Sequence, residues 1–452
     1  MKISQTVLYL KFTVHLPKLD YISPKFSLEF TYDYANYLWL KNLIMSDYDP
    51  YNTDPLALVI CIDLGKSTNK VTYSVKPKWS KKLLLVEPEV ATLAPERISS
   101  FSGANCRPID DAWCELHDGS GMAFGLLATK KSYQLQSVNG KKELKFEKGA
   151  LRVFAIISAI AQEEKLGRRF FEHQTGNEFI GVKVALSVLL PLSEYYSHRD
   201  ALRAELEKLK EGTLKFRGTK YGIRFDTLDI KPEAAGLLMI RQAESSKAPF
   251  RQKNLLCLLM GHYNITGILY QRGQIVRKDC PSLGFHQVVD SVVNSTCLDS
   301  TNVSEARLSE AIYLGAAKPK LIRGFLIKMF TDEASLNLEQ SKIMLAIEQA
   351  KKEYWSKIRH WLIGLVEEDL GILEEVLISG GASELFSTEL KEFFVSFSEA
   401  TVVFNGGNRT KSAIKKSFDL KGNTGQIARL VDCFGIHQAL LEKVVKSEEV
   451  AS

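Results

Sequence analysis

The stretch CIDLGKSTNK, residues 61–70, decides the fold. Its Gly-Lys-Ser-Thr has the look of the end of a nucleotide-binding P-loop, yet it follows directly on the apolar run LALVI at 56–60. A P-loop needs a strand, a glycine-rich loop and then a helix, with the spacing G-x-x-x-x-G-K-[ST]. Here the position five before Gly65 is Ile60, in the middle of the apolar run, and KVTYSV (70–75) continues as a second strand. Strand, tight turn, strand is a β-hairpin. Such a turn of Gly, Ser and Thr can present backbone N–H groups and hydroxyls to an anion. Lys70 then acts as a point charge, and Asp63 at the strand end can hold Mg2+ through water.

The chain around this hairpin has 452 residues, 45% of them hydrophobic, which is enough to build the cores of two or three domains. Its charge of +6, from 59 basic and 53 acidic residues, describes a solvated surface and not a nucleic-acid-coating one. The seven cysteines are scattered without a C-x-x-C pair, as free thiols in a reducing cytoplasm are. No apolar run approaches the ~20 residues that span a bilayer. The leading segment TVLYLKFTVHL (6–16) is interrupted by Lys11 and His15, and no small-residue cleavage site follows it, so it does not read as a secretory signal. Residues 1–55 read as an N-terminal extension matching no recognised domain; a natural start at Met45 is the alternative to a genuine contact surface.

Farther along, FEKGALRVFAIISAIAQEEKLG (146–167) has helical spacing and EFIGVKVALSVLLPLSEYY (178–196) returns to strand. SHRDALRAELEKLKEG (197–212) reads as a charged amphipathic helix stopped by Gly212, and residues 213–230 as a hairpin turning near Gly218. KPEAAGLLMIRQAE (231–244) reads as a helix with Pro232 and Glu233 in its first turn. After the polar break SSKAPFRQKN (245–254), LLCLLMGHYNITGILYQRGQIV (255–276) restarts the strand, glycine turn, strand theme. A helical tract near 335–369 follows, then EEVLISGGASELFSTELKEFF (374–394), a strand ending in Ser-Gly-Gly that opens a helix. TKSAIKKSFDLKGN (410–423) reads as a solvated lysine-rich loop and RLVDCFGIHQALLEKV (429–444) as a terminal helix. Two such units, each followed by mixed α/β sequence, describe duplicated halves with a ligand in the cleft between them.

Several stretches resemble one family. Asp63-Leu64-Gly65 with Lys70 resembles the phosphate 1 motif of the actin, heat-shock ATPase and sugar kinase superfamily. VEPEVATL (86–93), LLPLSEYYSHRD (189–200), DIKPEAAG (229–236), SLGF (282–285), LISGGASEL (377–385) and RLVDCFG (429–435) then follow in the order of the ParM (StbA-type) bacterial actin-like proteins. The resemblance covers residues 56–445. It implies an α/β actin-like (ribonuclease H-like) fold with domain I at 56–247, domain II at 248–427, and a helix at 428–445 returning to domain I. It further implies that Gly65, Lys66, Ser67, Thr68, Asn69 and Lys70, with Gly261, His262, Tyr263 and Asn264, hold the phosphates of ATP or GTP. Gly380, Gly381 and Ala382 would border the adenosine, Asp63 would hold Mg2+ through water, and Glu233 would position the attacking water. The function implied is a cytoplasmic filament that segregates plasmids: the chain contacts copies of itself and a ParR-like DNA-binding adaptor, with no direct contact to nucleic acid.

One motif departs. Phosphate 2 in that family is typically D-x-G-G-x-T-x-D, and here the stretch is Leu259-Met260-Gly261-His262-Tyr263-Asn264-Ile265-Thr266. Leu259 stands where the metal-linked aspartate is expected, and a leucine cannot orient a metal-bound water. Loss of one preorganised group of this kind costs about 100- to 1000-fold in rate. Asn264, or less readily His262, is an uncharged substitute at the phosphates. Nucleotide binding with slow hydrolysis is therefore the expectation. A cell-shape or cortical filament tolerates slow turnover and is the first alternative. A sugar-kinase-like phosphotransferase is the second, although no motif for a sugar pocket or its base is present.

Overall fold

The run at 58–63 forms β1 (Leu58–Asp63), and all six residues are buried. A strand covered on both faces has no reason to alternate, which is why it reads as continuously apolar. β2 (Asn69–Val75) pairs with it antiparallel, in a register that sets Asp63 opposite Lys70. β3 (Ser80–Val86) follows antiparallel to β2. The remaining strands of this sheet are β4 (Val90–Leu93), β5 (Ala112–Glu115), β6 (Gly121–Phe124), β7 (Arg168–Phe171), β8 (Glu178–Leu190), β9 (Leu214–Phe216) and β10 (Thr219–Pro232). Their order is β3-β2-β1-β8-β10-β9-β5-β6-β4, with β7 paired to β8. A second sheet contains β11 (Leu255–Met260), β12 (Ile265–Gln271), β13 (Gln274–Asp279), β14 (Glu375–Ser379) and β15 (Thr401–Phe404), in the order β13-β12-β11-β14-β15.

The two sheets share a plan. In each, three strands run antiparallel as a meander, and two more join parallel on the far side of the first strand: β8 and β10 beside β1, β14 and β15 beside β11. The repeat expected from the two hairpins is thus a repeat of topology. Around the sheets lie α1 (Gly149–Glu163), α2 (Leu192–Glu207), α3 (Ala235–Glu244), α4 (His286–Asn294) and α5 (Glu305–Ala317). They are followed by α6 (Pro319–Leu326), α7 (Glu333–Val366), α8 (Ser387–Phe397), α9 (Gly407–Phe418) and α10 (Thr424–Ala451). Each sheet has its own apolar core, and a third cluster spans both through α3 and α10, including Leu237, Leu255, Leu377, Leu430 and Phe434.

The computed structural model describes residues 55–98, 106–131, 144–171, 178–211, 214–244, 250, 252–298, 305–326, 332–367, 369, 372–397, 399–420 and 424–451, all within one compact unit. The N-terminal extension up to residue 54, Gly212, and most of the 245–254 break lie outside the described residues. Among the described residues no helix is long and apolar enough to cross a membrane.

Four expectations change. α2 begins at Leu192, inside a stretch read as strand, because Pro191 has no N–H to continue the ladder and its fixed φ starts the helix. Glu233 is not in the first turn of a helix: β10 stays paired with β8 as far as Pro232 opposite Leu190, and α3 starts only at Ala235. The lysine-rich tract is largely helix α9, anchored by buried Thr410 and Ile414 four residues apart. α10 starts before residue 428 and runs well past 445.

Candidate functional site

The turns after β1 and β11 are built alike. A Cβ at Gly65 would lie 2.1 Å from the Thr68 carbonyl oxygen, and one at Gly261 would lie 2.8 Å from that of Asn264, so each turn closes tightly over its glycine. The two turns face a single cavity of about 570 Å³, within the range of small-molecule sites. Its lining includes Asp63, Gly65, Lys66, Ser67, Thr68 and Lys70 from the first turn, and Gly261, His262, Tyr263 and Asn264 from the second. Gly380, Gly381 and Ala382, after β14, and Glu233, after β10, complete the residues singled out in the sequence. Asn69 is the exception: its side chain is buried and donates to the Glu87 carbonyl at 3.3 Å, which ties β2 to the end of β3.

Lys66, expected at the phosphates, reaches across the cleft, with Nζ 5.3 Å from the centre of the Tyr263 ring. Lys70 Nζ donates to Asp63 Oδ2 at 2.5 Å, as their opposed register requires.

Seven further charged residues line the cavity without having been expected there: Glu87, Lys145, Glu194, Arg307, Glu310, Arg429 and Asp432. Lys145 lies just before α1; its Nζ contacts Glu233 Oε1 and stands 3.5 Å from Asp63 Oδ1. Burial alone would raise the Asp63 carboxyl, but the ammonium groups of Lys70 and Lys145 hold it below its ordinary value. Burial works equally against charge on Lys145, and Glu233 with Asp63 overcomes it, raising the lysine above its ordinary value. Glu194, at the start of α2, fixes this arrangement by accepting the Phe146 N–H at 3.1 Å. From α10, Arg429 donates to Thr68 Oγ1 at 3.1 Å.

Asp432, 4% exposed, accepts from the backbone N–H groups of Ala234 at 2.8 Å, Gly236 at 2.6 Å and Leu237 at 3.3 Å. Ala234 has a φ of 77°, a left-handed conformation costly for a side-chain-bearing residue, and the clamp from α10 holds it there. The bend places Glu233 at the cavity wall. A sequence signal for Arg429 and Asp432 was available: two opposite charges in the otherwise apolar RLVDCFG of a helix.

Burial pushes the Asp432 carboxyl from 3.8 up to about 7, with Asp63 and Glu233 adding to the rise and the backbone N–H groups opposing it. A group raised in the folded state contributes stability that is complete below its unfolded value and is lost as pH rises through about 7. Burial likewise drives His437, on the same helix, down to about 3, so its contribution is present above 6.5 and lost as pH falls. Because the two contributions oppose each other below about pH 6.5, the difference between proteins isolates Asp432: between about pH 4 and about pH 7 the urea midpoint of wild type is expected to fall relative to that of Asp432→Asn, which stays neutral. Parallel slopes for the two proteins would remove the assignment.

A resident Mg2+, expected at Asp63, does not fit this donor set. Asp63 Oδ2 is taken by Lys70, and Oδ1, buried without a hydrogen-bond partner, stands 3.5 Å from the Lys145 ammonium; Glu233 is engaged by Lys145, and Leu259 brings no carboxylate from the opposite turn. Among the described residues no group of three or more His, Cys, Asp or Glu side chains is placed to hold a metal.

No protein-family model matches the chain, and no curated protein matches its sequence. Solved structures do match it in shape. The ParM of Bacillus thuringiensis with ATP superposes with a TM-score of 0.53 at 9% identity, covering 86% of this chain and 100% of that one. A 15-stranded ParM filament from Clostridium botulinum matches with a TM-score of 0.52 at 13% identity, over 86% and 100% of the two chains. An archaeal actin homolog matches with a TM-score of 0.52 at 11% identity, over 85% and 99%. At such identities the likeness is one of fold: the chain has the α/β actin-like fold of the ParM structures.

Proposed function

We propose that this chain binds ATP or GTP between domain I (56–247) and domain II (248–427), the latter followed by a helix that returns to domain I, and that it polymerises into filaments of ParM type. The observation that carries the reading is the pair of equivalent glycine turns, one from each sheet, facing one cavity lined by Lys66, Lys70, Lys145 and Arg429. Backbone N–H groups of the two turns and these cations suit a polyphosphate. Gly380, Gly381 and Ala382 border the nucleoside, where small residues allow close approach. Glu233 positions the attacking water, and with Leu259 in place of a second carboxylate the hydrolysis is slow.

Nucleotide closes the cleft and favours filament contacts; its hydrolysis or release weakens them. The filament works in the cytoplasm in plasmid segregation, contacting DNA only through a ParR-like adaptor. Leu259 also favours a second reading, a cell-shape or cortical filament for which slow turnover suffices. Sedimentation with and without ATP or GTP, followed by electron microscopy, tests the proposal. Filaments that pellet with nucleotide are the expected result. A chain that stays in the supernatant under every nucleotide and phosphorylates a small sugar would overturn it.

A further inference from the structure

We propose that Lys145 occupies the place of a metal ion in the phosphate site, so that nucleotide binds this chain without a divalent cation. The inference rests on the nucleotide reading above and deepens it. A cation flanked by Asp63 and Glu233, at the mouth of a phosphate-binding turn, is where a dication would sit; here the charge is covalently attached to the chain.

The position is built. The Lys145 side chain is 9% exposed. The next residue, Phe146, is held at its N–H by Glu194 and stacks its ring on His198 with centroids 4.0 Å apart. The two carboxylates come from the ends of β1 and β10, and Lys145 and Lys70 together balance their charge. A dication entering beside Asp63 would meet the ammonium groups of Lys70 and Lys145 at close range. A phosphate meets the reverse. An ammonium has three N–H donors; Glu233 takes one from Lys145, Asp63 Oδ1 stands 3.5 Å away without a hydrogen-bond partner, and an entering phosphate oxygen has a donor to accept from. Lys66 and Arg429, which also line the cavity, supply further positive charge. Leu259 fits this scheme: with no metal to orient, the opposite turn has no use for an aspartate.

The test is equilibrium binding of ATP and of GTP to the full chain, by calorimetry, in Mg2+ and in excess EDTA. Wild type is expected to bind in EDTA within about threefold of its affinity in Mg2+, and Lys145→Arg to behave the same way. Lys145→Gln is expected to bind about tenfold or more weakly in EDTA than in Mg2+, because the dication then has two carboxylates to neutralise. Wild-type binding that is present in Mg2+ and falls more than about tenfold in EDTA overturns this inference and leaves the nucleotide reading standing. Absence of binding in both media removes both. If Lys145→Gln does not fold, the wild-type and Lys145→Arg comparison decides alone.

Discussion

Replacing Glu233 by glutamine is expected, if the proposed function holds, to lower phosphate release from bound nucleotide about 100-fold and to change nucleotide affinity by no more than about threefold. The expectation follows from how the side chain is held. The Glu233 N–H donates to the Leu190 carbonyl at 2.8 Å, which fixes it to the end of the parallel pair β8 and β10. The next residue is bent left-handed and clamped by Asp432, so the carboxylate has a set direction at the cavity wall. Glutamine keeps the size and the backbone while losing the acceptor strength needed to orient a water. Affinity is expected to be preserved because, on the proposed reading, the phosphates lean on Lys66, Lys70, Lys145 and Arg429, which line the cavity, and not on an acid. Single-turnover phosphate release, with affinity measured on the same samples, separates the two effects; equal release by both proteins would remove Glu233 from the reaction.

Replacing Gly236 by alanine costs stability at the upper end of the overpacking range, about 3 kcal/mol. A Cβ there would lie 1.9 Å from the Asp432 carbonyl oxygen, and one at Gly435 would lie 2.3 Å from the Gly236 carbonyl oxygen. α3 and α10 therefore cross glycine on glycine. The atoms in the way are backbone, which cannot rotate aside as a side chain does. The clash also pulls Asp432 from Ala234 and Gly236, so Glu233 loses its support in the same step. Urea unfolding of both proteins checks this: a lower midpoint at unchanged slope is expected. An unchanged midpoint would mean that the helices do not approach so closely.

What the sequence revealed and what it concealed follow a physical line. The first hairpin was legible because β1 is buried on both faces and the register brings Asp63 to Lys70 across seven positions of chain. The second was legible for the same reason, and the absence of a carboxylate at Leu259 stood in plain view. The start of α2 was hidden because LLPLSEYY is apolar enough to pass for strand, with only Pro191 marking the change. Glu233 was misplaced by two residues because the length of β10 is set by its partner β8, a tertiary fact. The roles of Lys145, Arg429 and Asp432 depend on partners far away: Lys145 meets Glu233 across 88 positions, and Asp432 meets Ala234 across 198. Periodicity reports which face of a helix is covered. It does not report what a buried charge will meet.

The reach of α10 has a consequence for synthesis. Arg429 and Thr68 are separated by 361 positions, and the wall between them cannot exist until α10 has been made. A nascent chain with both sheets translated still holds an open cavity, an unclamped Ala234 and an uncovered apolar seam. A ligand of that cavity cannot stabilise such an intermediate, so on the proposed reading the growing chain passes most of its synthesis without the protection of nucleotide. The docking of one late helix then closes the cavity wall, clamps Ala234 and covers the seam in a single event.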